Sequence, residues 1–560
     1  MRAFCAVLLF GFVLLVPGGG GAVPVSLGIA VPAIATSTIT AANAALDLAR
    51  AAGAQYVRVS ADWPRLMPRA GQQNFAWLDA IVAAATARHL HVVLVLGRAP
   101  RWAVSYLDGT ASTEEVLRAH PDLPAYRAYV TAVARHYQRQ VTEYQLWDRP
   151  SGMTLLANPR DVYALYREGA HAIHAVSPEL QAIAAEPGDI DLCWLNGYWK
   201  SVTGSERPDV LLLAPVSVAC LPTAFALRTQ VLHTQILPPA APALWAEIPL
   251  MKPGESSSCA LAAMALLSGC PHLLFTAGET VAVPPAVSFQ AAAAFFRPLC
   301  GREYTGWMQQ GHSVAGAFMT AESQALLLFP RADESLEICP AGAPHAGELT
   351  ASMPQIVWTA PGASPVVQQV TDAISLDVTA EHPLLLTGAT EGLTAGFPDL
   401  LEAPMPEDTV TLDATGTDAR GMHALRALPG GHYAQYLTED GRAVLRTVRG
   451  SMPWIYFDVP TRFLFFNTAQ TPLEITVQVL GATSPNTTGF NLYYDTLDGM
   501  RTTAWQSIDQ GPETTFSYTF RVNDALFAGG AGYDFRLQMG GSAEDVRVLG
   551  VRVKKLGKTQ

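Results

Sequence analysis

The chain has 560 residues, of which 49% are apolar and 15% charged, and its formal net charge is -12. This composition is typical of a well-buried globular protein and excludes an intrinsically disordered chain. The length exceeds what one hydrophobic core holds, so we expect roughly two to four domains. The acidic balance argues against nucleic acid as a partner, and it disfavours a polyanionic glycan unless a local basic cleft overrides the total charge.

The N-terminus has the pattern of a secretory signal peptide over residues 1–22. Arg2 is followed by an apolar stretch from Ala3 to Val16, then by Pro17 and small residues up to Ala22. No comparable apolar run of membrane-spanning length follows. We therefore expect a secreted, extracytoplasmic protein with no membrane span after signal removal, and a retained N-terminal anchor is the alternative.

Six cysteines remain beyond this segment. An even number in an exported protein permits disulfides, although buried free thiols are an equally open interpretation for some of them. None of these cysteines has the close two-residue spacing of a zinc site. Two pairs of closely spaced histidines, His89 with His91 and His171 with His174, lack an acidic residue at the spacing of a metal ligand. We therefore predict no metal and no cofactor. The cysteines are Cys193, Cys220, Cys259, Cys270, Cys300 and Cys339.

Residues 23–300 alternate short β-branched runs with Ala-rich stretches that have apolar residues at helical spacing. This is the pattern of β/α units around a parallel sheet. Eight strands with their helices predict an α/β fold, a (β/α)8 TIM barrel. A doubly wound sheet is the alternative, but no Gly-x-Gly-x-x-Gly follows the first strand. The predicted strands are Val25–Ile29, Tyr56–Ser60, Val92–Leu96, Glu143–Trp147, Gln181–Ala185, Val210–Leu213, Ala243–Glu247 and His272–Thr276.

After Cys300 the pattern changes to short strands separated by Gly, Pro and Ser, which predicts all-β structure. We expect residues 301–397 to form a β-sandwich abutting the barrel and the Pro-rich residues 398–408 to be a linker. Residues 409–560 are expected to form a second β-domain. Its aromatic strands resemble the jelly-roll modules often attached to carbohydrate enzymes, and a purely structural role for it is equally open.

Four separated segments of the predicted barrel carry the most informative motifs. Each contains a predicted strand or ends close to the carboxyl end of one, the edge where barrel enzymes hold their active sites. The segments are Tyr56-Val57-Arg58-Val59 with Asp62-Trp63-Pro64, Val93 to Gly97 with Ala99-Pro100 and Trp102, Glu143 to Leu146 with Trp147-Asp148-Arg149-Pro150, and Pro242 to Glu247.

Together these segments resemble clan A glycoside hydrolases, which are retaining glycosidases built on a β/α barrel. The resemblance implies that Glu247 occupies the position of the nucleophile and that Arg58 lies beside it and keeps it ionised. It also implies that Asp148 stands where the family has a sugar-binding asparagine. Sugar contacts are expected from these polar residues and from four tryptophans that lie in or beside the motifs, although core packing is the alternative for each ring. The tryptophans are Trp63, Trp102, Trp147 and Trp245.

The chain departs from the family pattern at Arg149, where the resemblance places the glutamate that acts as general acid and base. A guanidinium remains protonated, so it neither donates a proton to a glycosidic oxygen nor takes one from water. We expect Arg149 to lie close enough to Glu247 to pair with it. A second departure is the lack of a His-x-Tyr motif after the sixth strand.

Two functions remain open at this stage. The first is a secreted glycosidase-like protein that binds an extracellular oligo- or polysaccharide without efficient cleavage. The second is an active retaining hydrolase in which Glu247 attacks and a relocated acid, Glu186, Glu279 or Asp148, donates the proton. A scaffold that has lost sugar contact is a third possibility. The sequence leaves the sugar, the linkage and the oligomeric state undetermined.

Overall fold

The structure is a computed structural model of the full chain. It describes residues 23–31, 36–107, 110–150, 155, 158–185, 187–188, 190–203, 207–214, 222–238, 241–250, 257–276, 286–340, 349–351, 355–389, 392–398, 404–415, 422–424, 434–447, 454–485, 487–529 and 533–557. The predicted signal peptide, Cys220, Glu186 and Glu279 lie outside the described residues.

Eight parallel strands close into a barrel in chain order, with β8 pairing β1. Antiparallel β-sheets follow the barrel, so the predicted fold class is confirmed. All eight predicted strands are present, with small differences at their ends. The barrel strands are β1 (Ser26–Ala30), β2 (Tyr56–Ser60), β3 (His91–Leu96), β4 (Glu143–Leu146), β5 (Gln181–Ala185), β6 (Val210–Leu213), β7 (Ala243–Pro249) and β8 (His272–Thr276).

Helices connect the strands and cover the outside of the barrel. The first has clear local signals: the Thr38 hydroxyl accepts a hydrogen bond from the Ala41 N–H, and Gly53 ends the helix with a φ of 86°. The helices are α1 (Ile39–Ala52), α2 (Trp63–Leu66), α3 (Ala76–Thr86), α4 (Thr113–Arg118), α5 (Leu123–Tyr137), α6 (Pro159–His174), α7 (Leu192–Ser201), α8 (Pro222–Val231), α9 (Ser257–Leu267) and α10 (Ala286–Phe296).

Successive residues of each barrel strand face opposite sides, because side chains alternate along a strand. One set packs against the helices in the main core, whereas a smaller apolar cluster fills the inside of the barrel. Tyr56 and Trp245 belong to the inner cluster, with ring centroids 5.6 Å apart. Gly28 makes room for the Tyr56 ring, since a Cβ at this position would lie 2.2 Å from it.

Two sheets after the barrel pack face to face around a core of their own. One has the order β15-β14-β17-β11-β10-β9 and the other β13-β12-β16. Along β11, Leu326 and Leu328 face this core, whereas Leu327 and Phe329 belong to the barrel's core. Burial on both faces explains the unbroken apolar run of β11. The strands are β9 (Glu303–Gln310), β10 (Ser313–Met319), β11 (Gln324–Pro330), β12 (Glu334–Cys339), β13 (Leu349–Thr350), β14 (Gln355–Thr359), β15 (Val366–Gln369), β16 (Ile374–Val378) and β17 (Leu384–Thr387).

The C-terminal strands form two further sheets with a shared apolar core. One has the order β20-β21-β29-β23-β27, with β18 also on β29, and the other β19-β22-β28-β24-β25, with β26 also on β24. The strands are β18 (Thr409–Asp413), β19 (His423–Ala424), β20 (Ala434–Glu439), β21 (Arg442–Thr447), β22 (Trp454–Asp458), β23 (Leu473–Leu480), β24 (Gly489–Thr496), β25 (Gly499–Thr502), β26 (Gln506–Ser507), β27 (Thr515–Val522), β28 (Phe535–Gln538) and β29 (Arg547–Lys555).

The C-terminal sheets are anchored to the barrel through the segment before β28. Leu526 and Ala528 pack into the barrel's core, and Arg228 on α8 donates a hydrogen bond of 2.8 Å to the Gly529 carbonyl. The carboxylate of Asp495 organises this segment by accepting the N–H groups of Phe527 and Ala528, each at 2.8 Å.

Four of the predicted disulfide candidates, Cys193, Cys259, Cys270 and Cys300, are free thiols. The composition permits disulfides, but these four side chains do not form them. Among the described residues, no helix combines the length and apolarity needed to cross a membrane.

Replacing Tyr56 by Phe is expected to stabilise the barrel by roughly 1 kcal/mol. The Tyr56 hydroxyl is buried and has no hydrogen-bond partner among the described residues, and a buried unsatisfied group is costly. The matched control is Tyr126→Phe, which removes a hydroxyl that donates to the Leu96 carbonyl at 3.1 Å and should destabilise. Thermal unfolding measures both changes, and a loss of stability in Tyr56→Phe would contradict the prediction.

Stability should also fall as the pH rises, because two buried carboxyls beside the anchoring segment hold protons in the folded state. Burial raises the pKa of Asp495 from its usual 3.8 to about 6. The two hydrogen bonds from backbone N–H groups oppose this rise, and the negative charge of Asp191 adds a smaller increase. Burial also raises the pKa of Asp534 well above its usual value, helped by the neighbouring Asp458 and Asp495. The stabilisation is present below about pH 4 and is lost as the pH rises through these folded-state pKa values.

Replacing Asp534 by Asn should flatten this pH dependence. The amide can donate to Asp458 as the protonated acid does, and its oxygen can still accept the Val459 N–H, which lies 2.8 Å from Asp534 Oδ2. Thermal unfolding at pH 5 and pH 8 measures the effect. Asp440→Asn at an exposed turn is the control and should keep the parent's pH dependence. An unchanged slope in Asp534→Asn would show that Asp534 is not the proton-holding group.

Candidate functional site

Three strands bring polar side chains together inside the carboxyl end of the barrel. Arg58 on β2 and Glu247 on β7 each follow, two residues later, an inner-cluster residue of the same strand, Tyr56 and Trp245 respectively. Because side chains two apart share a face, Arg58 and Glu247 also point into the barrel, one layer nearer its mouth. Gln145 on β4 joins them, and all three side chains are buried.

Arg58 is the centre of this layer. Its Nη1 donates to Glu247 Oε2 at 2.9 Å and its Nη2 donates to Glu247 Oε1 at 3.3 Å, which is a two-point contact. The same Nη1 lies 3.2 Å from Gln145 Oε1 and 3.4 Å from Asp148 Oδ1. One guanidinium therefore orients both carboxylates of the mouth. The side chain of Glu247 is 3% exposed and that of Asp148 is 29% exposed, so the two differ in their access to solvent.

The turn after β4 adopts an unusual backbone that directs its side chains. Trp147 has a φ of 73° and Arg149 a φ of 38°, which is the left-handed region. For this reason β4 ends at Leu146, one residue before the predicted end. Gln145 Nε2 stabilises the turn by donating to the Trp147 carbonyl at 2.9 Å. Residues held in such conformations are often found at functional sites.

The charges around Asp148 keep it ionised. Burial alone would raise the pKa of Asp148, but Arg58, Arg149 and Arg98 together hold it below its usual value. Burial would likewise lower the pKa of Arg58, and Glu247 and Asp148 raise it instead. Asp148 is therefore an acceptor at neutral pH and has no proton to donate.

Asp62, just beyond the carboxyl end of β2, behaves in the opposite way. Burial raises its pKa, and the opposing effects of Arg65 and Arg98 do not cancel that rise. Its motif Asp62-Trp63-Pro64 was part of the sequence resemblance, but the sequence alone did not single out Asp62 as a proton donor.

The carboxylate of Glu247 is held by two hydrogen bonds from Arg58. Arg149 Nε lies 3.9 Å from Asp148 Oδ1. The expected pairing of Arg149 with Glu247 stays a prediction. Within the described part of the chain, no group of three or more His, Cys, Asp or Glu residues is arranged to hold a metal ion.

Three of the four tryptophans predicted as sugar platforms belong to the core. Trp63 is fully buried and stacks on Tyr129 at 4.4 Å, and Trp147 is 1% exposed. Trp245 lies beneath Glu247 and is 6% exposed. Since a sugar ring cannot reach a buried ring face, the alternative interpretation of core packing applies to these three. Trp102 is partly exposed, with its Nε1 donating to the Met67 carbonyl at 2.8 Å.

Two residues of the site were missed from the sequence. Gln145 is a polar residue within the apolar run of β4, and that contrast was its only available signal. Arg98 has a φ of 58° after β3 and acts on the pKa values of both Asp148 and Asp62. It carries no sequence signal, because its importance depends on which carboxyls the closed barrel places beside it.

No family model and no curated protein sequence matches the chain. The fold is similar to solved structures of glycoside hydrolases. A family 39 glycoside hydrolase from Bacteroides cellulosilyticus has 14% identity and a TM-score of 0.48, covering 65% of this chain and 81% of that chain. A family 30 endoxylanase from Clostridium papyrosolvens has 12% identity and a TM-score of 0.45, covering 66% and 98%. A family 5 enzyme from Bacteroides vulgatus has 11% identity and a TM-score of 0.43, covering 67% and 93%. Identities this low leave the function to be argued from the site.

Replacing Arg58 by Gln should destabilise the protein by about 3 to 5 kcal/mol, because it leaves buried Glu247 without its compensating charge. The control is Arg88→Gln, which breaks an ion pair with the exposed Asp47 and should leave the free energy of unfolding nearly unchanged. Denaturant unfolding of both variants measures the difference. Equal stability of the two variants would contradict a structural role for the Arg58–Glu247 pair.

Proposed function

We propose that this protein is an exported glycan-binding protein whose glycosidase-like barrel binds an oligo- or polysaccharide at its mouth without efficient hydrolysis. The observation that carries the proposal is the ion network of the mouth. Glu247 and Asp148 are both bound by Arg58, and the general acid position implied by the resemblance is occupied by Arg149.

Retaining hydrolysis needs two carboxyl groups about 5 to 5.5 Å apart, one that attacks the anomeric carbon and one that alternates as acid and base. Arg58 keeps Glu247 oriented as an attacking carboxylate requires. The acid is the missing part, because Arg149 cannot release its proton and Asp148 is held ionised. Loss of general acid catalysis costs roughly 10² to 10⁴ in rate.

The same groups are suited to binding sugar hydroxyls. Asp148 is a partly exposed acceptor, and Arg149 is a donor whose side chain is 19% exposed. Trp102 is partly exposed and follows β3, the strand that pairs with β4. Planar charged groups fixed by other side chains bind hydroxyl pairs without losing much conformational freedom. Export is supported by the N-terminal pattern of residues 1–22, and N-terminal sequencing of the mature protein tests it.

A second candidate function, active hydrolysis with a displaced acid, is favoured by Asp62. Because its pKa is raised, Asp62 keeps its proton to a higher pH than an ordinary aspartate does. It lies just after β2, the strand that carries Arg58. Asp62 therefore joins Glu186 and Glu279 as a candidate for the relocated acid.

The first experiment measures reducing ends released from a polysaccharide panel by the parent protein and by Glu247→Gln. We expect no turnover by either, together with retention of the parent on at least one insoluble polysaccharide. Turnover by the parent that disappears in Glu247→Gln would contradict the binding proposal. Asp62→Asn would then test whether Asp62 supplies the proton, since it should remove the acid-dependent part of the rate.

The second experiment compares Arg149→Glu with Arg149→Gln on an aryl glycoside and on a glycan that the parent binds. Only Arg149→Glu adds a carboxyl where the resemblance places the acid, so it alone should gain hydrolysis, whereas Arg149→Gln controls for removal of the cation. An equal gain of hydrolysis over the parent in both variants would show that the cation of Arg149, and not the missing acid, limits the reaction.

A further inference from the structure

One of the C-terminal sheets carries a guanidinium on the face turned away from the apolar core. Phe535 and Leu537 of β28 belong to that core, so Arg536 between them points to the opposite side of the sheet. The strand register puts Tyr456 of β22 and Tyr493 of β24 directly beside Arg536. This outer face is built by strands of the C-terminal sheets and is therefore separate from the barrel mouth.

Four aromatic rings lie within cation–π distance of the Arg536 guanidinium. Its Cζ lies 3.8 Å from the centroid of the Trp454 ring and 4.1 Å from that of Tyr493. The centroids of Tyr456 and Tyr533 are 5.9 and 5.8 Å away. We call these four rings the aromatic cage. Its two more distant rings are buried, whereas the two nearer rings and Arg536 itself are partly exposed. The cage therefore fixes the guanidinium and leaves part of it open to solvent.

Arg536 has no carboxylate partner. Among the described residues, no aspartate or glutamate forms an ion pair with it. Its Nη2 donates to Gln538 Oε1 at 3.4 Å, and its Nε is buried without a hydrogen-bond partner in the described part of the chain. Asp534 on the same face of β28 does not supply the missing charge, because burial raises the pKa of its carboxyl well above the usual value. A desolvated cation without a counter-ion is costly, and cation–π contacts offset only part of that cost.

Polar and aromatic groups continue this outer face along β24. Asn491, two residues before Tyr493, pairs with Gln538 across the sheet, and its Oδ1 is buried without a partner in the described structure. Gly489 follows in the same alternation. A Cβ there would lie 2.7 Å from Nε1 of Trp505, so the Trp505 ring lies over this end of the face, where it is 41% exposed. The four residues from Gly489 to Tyr493 cover about 13 Å, which is longer than one sugar ring.

We propose that this outer face binds a glycan segment containing a uronic acid residue, with Arg536 holding the carboxylate and Trp505 packing against a neighbouring sugar ring. Guanidinium groups bind carboxylates through paired, charge-assisted hydrogen bonds. Because the aromatic cage already fixes Arg536, little conformational freedom is lost on binding. The face recognises one carboxylate and not a polyanion, as suits a chain with a net charge of -12. It is separate from Arg58 and Glu247, so either site can fail without the other.

Isothermal titration calorimetry on the full chain tests the proposal with matched pairs of probes. Each pair consists of a tetrasaccharide with one glucuronic, galacturonic or mannuronic acid residue and the same sugar with that carboxyl reduced to an alcohol. We expect at least one acidic probe to bind at least about tenfold more tightly than its reduced partner, because a hydrogen bond to a charged group is worth roughly that factor. Absence of binding by every acidic probe, or equal affinity within each pair, would overturn the proposal.

Arg536→Gln removes the cation and should abolish the preference for the acidic probe over its reduced partner. The matched control is Arg521→Gln, which removes the same charge from an exposed position of β27 on the other C-terminal sheet and should keep the preference. Thermal unfolding of both variants checks that they are folded. Equal loss of the preference in both would assign it to net charge and reject the site.

Trp505→Ala tests the same face without disturbing the aromatic cage, since this ring is largely exposed. The variant should bind the acidic tetrasaccharide more weakly than the parent does and keep the parent's affinity for the free uronic acid monosaccharide. An unchanged affinity for the tetrasaccharide would contradict the role of Trp505. Equal affinity of the parent for the monosaccharide and the tetrasaccharide would assign the site to a free acid and overturn the assignment to a glycan.

Discussion

Arg58 reaches from β2 to β7 and binds the carboxylate of Glu247 inside the barrel with both of its Nη atoms. Burying either charge alone would cost several kcal/mol, so each group depends on the other to remain there. The same guanidinium contacts Gln145 and Asp148, and Gln145 in turn holds the carbonyl of Trp147. The orientation of these side chains at the mouth therefore depends on one cation. Together with Arg149 and Arg98, Arg58 also keeps Asp148 ionised, which weighs against a role for Asp148 as proton donor.

The aspartates show how environment decides the chemistry of one residue type. Asp148 is surrounded by Arg58, Arg98 and Arg149, and its pKa is lowered despite burial. Asp534 is buried next to Asp458 and Asp495, and its pKa is raised well above the usual value. The difference arises because desolvation opposes ionisation at both places, while the neighbouring charges have opposite signs. Asp148 is therefore held in its charged form, whereas the surroundings of Asp534 favour its protonated form.

The sequence by itself determined the local elements, because the periods of two and 3.6 residues reflect which backbone buries an apolar face. It predicted the eight barrel strands, with Arg58 within the second strand and Glu247 at the end of the seventh. It did not decide whether Trp63, Trp147 and Trp245 reach a ligand, since a ring in a motif and a ring in the core look alike along the chain. The pairing of Arg58 with Glu247, 189 positions away, and the pKa of each aspartate are decided only by the tertiary structure, because they depend on distances between side chains that the chain order does not contain.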